Sequence, residues 1–128
     1  MHNSYDYAVV RVVPRVEREE FLNVGVIVSC PARDFLEARI ELDERRLLAI
    51  DPRVNLEAVR THLATIPLIC AGGATAGPIG LLSQRERFHW LVAPRSTMIQ
   101  VSAAHTGRCG DPGATLEHLL TAMVRPVT

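Results

Sequence analysis

Apolar and polar positions alternate with a period of two through the first third of the 128-residue chain. From Tyr5 to Pro14 both parities are largely apolar. Tyr5, Tyr7, Val9 and Val13 share one side with Arg11, while Ala8, Val10 and Val12 share the other. Such a strand is expected in the middle of a sheet that is covered on at least part of each face. Asn23–Cys30 predicts a second strand, with Val24, Val26 and Val28 alternating against Gly25 and Ile27. A glycine weakens a strand interior, so Gly25 marks a bulge or a close backbone approach. Phe35–Leu42 alternates most clearly. Leu36, Ala38, Ile40 and Leu42 point one way and Glu37, Arg39 and Glu41 the other, which predicts a third strand with one wet face in an antiparallel sheet. Between the first two strands, Glu17-Arg18-Glu19-Glu20 forms a charged helical turn.

Further along, the period changes to that of a helix. Asp43–Ile50 reads as a short helix, and Asn55 caps a longer one with the stripe Leu56, Val59, Leu63, Ile66 and Cys70. Pro67 lies inside that stripe and is expected to end or kink the helix near Ile66, since it has no N–H for Leu63. Gly72–Gly80 reads as a flexible loop. Ser83 with Glu86 has the form of a capping box and opens a helix through Phe88, Trp90 and Leu91. Met98–Val101 suits a fourth strand, and Ala103–Gly110 reads as a loop. Asp111-Pro112 starts a last helix with Leu116, Leu119, Leu120 and Met123 on one face. The expected architecture is a single α+β domain over residues 1–128, a mainly antiparallel sheet of about four strands with its helices packed on one face.

Composition narrows the class of protein. A hydrophobic fraction of 48% fits a packed core. Fourteen Lys+Arg residues balance fourteen Asp+Glu, so no long-range field draws the chain to nucleic acid, which is an unlikely partner. No run of apolar residues is long enough to span a membrane, and the first residues lack a basic segment followed by an apolar one. Cys30, Cys70 and Cys109 are odd in number and widely spaced, as free thiols in a reducing cytoplasm would be.

Few motifs carry defined chemistry. The glycines at 72, 73, 77 and 80 lack the Lys and Ser/Thr that a phosphate-binding loop needs after its last glycine; Leu81-Leu82 follow instead. His89, His105, Cys109, His118 and Asp111 form no short ligand motif, so no metal and no cofactor is expected. Cys109, beside Arg108 in a polar segment, is the thiol whose setting best fits a lowered pKa, though an inert role fits it better. The richest polar stretch runs from Arg87 to Asp111. There Arg95, Ser96 and Thr97 at a turn, with Gln100 and His105, make a candidate anion site that Arg11 joins if its strand neighbours Met98–Val101. Equally, these groups can cap a turn while Arg11 pairs with a core carboxylate.

Two blocks of sequence resemble a known family. One is Tyr5–Pro14 followed by Glu17–Ile27. The other comprises Gly77–Gly80, Glu86–Leu91, Ala93–Gln100 and His105–Gly107. Together they resemble the bacterial domain-of-unknown-function family numbered 3037. The resemblance implies an accessory or interaction role alongside a kinase-like partner of the HipA type. It implies no activity. A homodimer is a separate form of association that the residues leave open, and they also leave open whether the chain is an enzyme. The alternative to an interaction protein is a small enzyme or ligand-binding module for a phosphate- or carboxylate-bearing substrate, using Arg11 and Arg95 as clamps and Ser96 and His105 as hydrogen-bonding or proton-transfer groups.

Overall fold

The fold was obtained as a computed structural model describing residues 2–95 and 97–127. Strand β1 (Asn3–Val12) pairs antiparallel with β2 (Leu22–Cys30), and β2 with β3 (Phe35–Ile40). On its other edge β1 meets two short segments, β4 (Ile99–Val101) and β5 (His105–Cys109). β4 pairs with Val10–Val12 and β5 with Asn3–Tyr7, so together they form one edge strand broken at residues 102–104. Ser102, buried at the break, is tied to Val9 twice. Its Oγ accepts from the Val9 N–H at 2.9 Å, and its own N–H donates to the Val9 carbonyl at 2.9 Å.

The α+β class and the antiparallel sheet match the alternation in the sequence. Ala103–Gly110, however, is not simply a loop. Its central residues form β5, which the sequence hides because an edge strand with four of its five residues polar or glycine shows no apolar period. The β1–β2 register slips between Val10 and Arg11, so Val24 and Gly25 both lie opposite Val10. A Cβ on Gly25 would lie 2.5 Å from Ile40 Cδ1 and 2.8 Å from the Arg39 carbonyl oxygen. Only glycine lets β3 approach there.

Helices α1 (Glu44–Ile50), α2 (Leu56–Ala71) and α3 (Gln84–Val92) cover one face of the sheet. Asn55 and Ser83 accept first-turn N–H groups at the N-termini of α2 and α3, as the sequence suggests, and Asp43 does the same for α1, just outside the helix rather than as its first residue. Val10, Val12, Val24 and Ile27 meet Leu47, Val59, Leu63 and Leu91 in this core. α2 does not stop near Ile66 but continues through Pro67 to Ala71. Its last turn is held from outside, by burial of Ile69 and Cys70 and by the Arg87 guanidinium, whose Nη1 donates to the carbonyls of Ile69 and Cys70.

The helices are not all on one face. α4 (Pro112–Met123) packs on the opposite side, where Leu116, Leu119 and Leu120 meet Val26 and Val28. The bulge at Val24 makes this possible: Val24 itself faces the first core, while past it Val26 and Val28 face α4. The charged outer row of β3 borders α4 rather than water alone: Arg39 pairs with Glu117, and Glu41 with Arg125. Nor is Gly72–Gly80 a featureless loop. Two 3-10 turns are stitched by the Gly73 N–H donating to the Gly80 carbonyl at 2.8 Å.

Candidate functional site

α4 lies over β2 and β3, and on its side of the sheet β1 and the broken edge strand keep a half-exposed surface. The parity of β1 puts Tyr5, Tyr7 and Arg11 there, and strand pairing adds His105 opposite Tyr7 and Gln100 opposite Arg11. The rings form a row. Tyr5 and Tyr7 stack with centroids 6.1 Å apart, and His105 follows at 5.2 Å from Tyr7. Gly107 underlies the row, since a Cβ on it would fall 2.8 Å from Tyr5 Cε1. Burial and the adjacent Tyr7 raise the Tyr5 phenol above its usual pKa.

Arg11 sits at the other end of this surface. Its Cζ lies 4.4 Å over the centroid of the Phe21 ring, which is exposed. Neighbouring strands contribute Asn23 and Gln100 beside it, making a polar row across β2, β1 and β4. Asn23 Nδ2 donates to the Met123 carbonyl at 3.0 Å and Gln100 Nε2 to the Thr97 carbonyl at 2.9 Å. Arg11 Nε and Asn23 Oδ1 are buried with no hydrogen-bond partner among the described residues. Arg11 therefore pairs with an aromatic ring and not, among the described residues, with a core carboxylate.

Arg95 and Thr97 lie elsewhere, at a cleft of about 260 Å³ between α2, the end of α3 and β4, on the side of the sheet away from α4. The Arg95 guanidinium stacks 4.3 Å from the Trp90 ring centroid and donates to the carbonyls of Trp90 and Leu91, at 2.7 and 3.2 Å. It thus closes the C-terminus of α3. Thr97 Oγ1 donates to the Ile99 carbonyl at 2.8 Å. Of the six sequence candidates, Arg11, Gln100 and His105 share one face, and Arg95 and Thr97 share the cleft behind it. Ser96 lies outside the described residues. A single clamp built from Arg11 and Arg95 does not form.

Phe21, Trp90 and His62, which shape these two surfaces, were not legible as site residues. Phe21 follows the charged turn as a lone aromatic, Trp90 reads as part of the helix after Ser83, and nothing in the sequence links His62 to residues some thirty positions away. Cys109 is buried rather than presented in a polar loop, close to the buried Cys30. Burial, then the nearby Cys109, raises the Cys30 thiol, and burial pushes the Cys70 thiol up to about 12. Among the described residues no group of three or more His, Cys, Asp or Glu is placed to hold a metal ion, and no helix is long and apolar enough to cross a membrane.

These features define an α+β protein with a two-faced antiparallel sheet, an aromatic–arginine surface on one side and a small cleft on the other. Residues 7–124 match a family model described as "Protein of unknown function (DUF3037)", and the chain belongs to that family. Comparison with curated proteins and with solved structures gives no match.

Proposed function

We propose that the chain is an accessory binding protein that docks a protein partner on the sheet surface beside α4, and that the partner is a kinase-like protein of the HipA type. The observation that carries this reading is the row Tyr5–Tyr7–His105 continued by Arg11 stacked on exposed Phe21. Tyrosine, phenylalanine and arginine concentrate in protein interfaces: the aromatic rings bury a large area for few rotatable bonds, and arginine adds a planar charged head that stacks on rings and donates several hydrogen bonds. Arg11 gives this surface positive charge, and the pairing register sets no carboxylate beside it, so an acidic patch on the partner complements it. The kinase-like identity rests on the family resemblance alone.

The test is co-purification of the chain with such a kinase-like protein, followed by a binding titration. Phe21 and His105 are both exposed, so Phe21→Ser with His105→Ala should leave the fold intact. The double variant should weaken binding by at least about tenfold, the range for loss of an interface centre. Arg85→Ala, on the exposed side of α3, should leave it unchanged. Wild-type affinity in the double variant rules out this surface; no complex with the wild-type chain rules out the kinase-like partner.

A further inference from the structure

We infer that the cleft behind the sheet binds a small amphipathic monocarboxylate: a flat apolar body lying against Trp90, with its carboxylate on Arg95. This does not rest on partner docking, because the two surfaces occupy opposite sides of the sheet.

The walls set the ligand's body. Ile66 from α2, Leu91 from α3, and Met98, Ile99 and Val101 along the edge strand make most of the lining apolar. Trp90, 40% exposed, closes one side as a planar wall. A volume of about 260 Å³ equals roughly nine water-sized volumes, enough for a single ring and a short chain. A nucleotide is too large for such a cleft, and a sugar phosphate too polar for such walls.

Charge sets the ligand's head. Among the described residues, Arg95 and His62 are the ionisable side chains of the lining, and no carboxylate lines the cleft. Arg95 is already held in place by its two carbonyl bonds and by the Trp90 ring, so it loses little freedom on binding an anion. Those bonds leave its Nε–H, and one N–H on each terminal nitrogen, without a protein acceptor among the described residues. That suits a planar carboxylate, which accepts side by side from a guanidinium. A phosphate group, with three terminal oxygens and up to two charges, needs more donors than the three N–H groups that Arg95 has left. Thr97 adds none, because its hydroxyl proton goes to the Ile99 carbonyl.

Trp90 is the single tryptophan of the chain, so its fluorescence reports directly on the cleft. The full-length protein is titrated with 3-phenylpropionate, with its neutral amide 3-phenylpropanamide, and with inorganic phosphate. The expected result is a saturable change with 3-phenylpropionate at a Kd of about 1 mM or tighter. The amide should bind at least about tenfold more weakly, the worth of one charge-assisted pair. Arg95→Gln, checked for folding by circular dichroism, should abolish that preference. The inference is overturned by no saturable change with 3-phenylpropionate, by equal affinity for acid and amide, or by phosphate binding more tightly than the carboxylate. The acid–amide comparison uses the wild-type chain, so it decides the matter even where Arg95→Gln loosens the end of α3.

Discussion

Arg87→Met tests whether the last turn of α2 is held from outside the helix. Pro67 removes the N–H that would bond to Leu63, and an interior proline ordinarily costs a helix about 3 kcal/mol. The turn survives with Arg87 braced against it. Nη1 donates to the Ile69 and Cys70 carbonyls at 2.9 and 2.6 Å, and Nε donates to the Leu82 carbonyl at 3.1 Å. Methionine keeps most of the apolar stem and removes all three donors. A hydrogen bond to a charged group contributes about 1.5–3 kcal/mol when buried, but these carbonyls at a helix end can turn to water, so the whole set is worth about 2 kcal/mol. For a domain of this length that corresponds to a Tm lower by roughly 8 °C. Amide exchange localises the effect: the Gly72 N–H, bonded to the Leu68 carbonyl at 3.0 Å, should exchange faster, while amides in the middle of β1 and β2 follow global unfolding. An unchanged Tm together with unchanged exchange at Gly72 would refute the brace.

Gly25→Ala should cost about 2 kcal/mol or more, because the new methyl meets a backbone carbonyl that cannot step aside, and urea unfolding would measure it. With its pKa pushed up to about 12, Cys70 should resist iodoacetamide at pH 8 in the native state and react on unfolding; prompt native labelling would show the thiol is accessible. Pairing with Arg125 holds the Glu41 and Glu117 carboxyls below their ordinary range, and pairing with Arg60 does so for Glu44. Their contribution is thus present above the usual glutamate pKa and is lost as pH falls below it through the depressed values. Arg125→Gln should flatten the acid side of the stability profile, and an identical slope below pH 4.5 would count against the network.

How much was legible follows from which residues carry periodic signals. β1 to β3 and the four helix starts could be read because alternation, capping side chains and proline stops are local. β5 could not, because an edge strand is defined by its pairing with Asn3–Tyr7 and not by its own side chains. The opposite placement of α4 is half visible: β1 shows two apolar faces, but alternation along a strand does not say which element covers each. At the site, strand pairing decided what spacing could not. Arg11 does neighbour the Met98–Val101 strand, as the candidate site required, but Gln100 faces Arg11 while Ile99 and Val101 face the cleft. Strand parity turns Arg11 towards the α4 side, while Arg95, outside any strand and held against the C-terminus of α3, stays with Ile99 and Val101 at the cleft.

That parity makes the two proposed surfaces separable. Tyr5, Tyr7 and Arg11 alternate along β1 with Ala8, Val10 and Val12, so the docking surface and the core behind the cleft share a backbone and no side chains. Changes at independent sites add, whereas sites coupled through a common packed element do not. Arg95→Gln should therefore leave partner affinity unchanged, and Phe21→Ser with His105→Ala should leave 3-phenylpropionate binding unchanged. Val10 and Val12 differ in kind: being fully buried, they hold β1 in place for both faces, and Val10→Ala should weaken both bindings along with stability. If instead the surface variants altered binding across the sheet without loss of stability, the sheet would have two arrangements that each ligand biases, and β1 would be the element that carries the change.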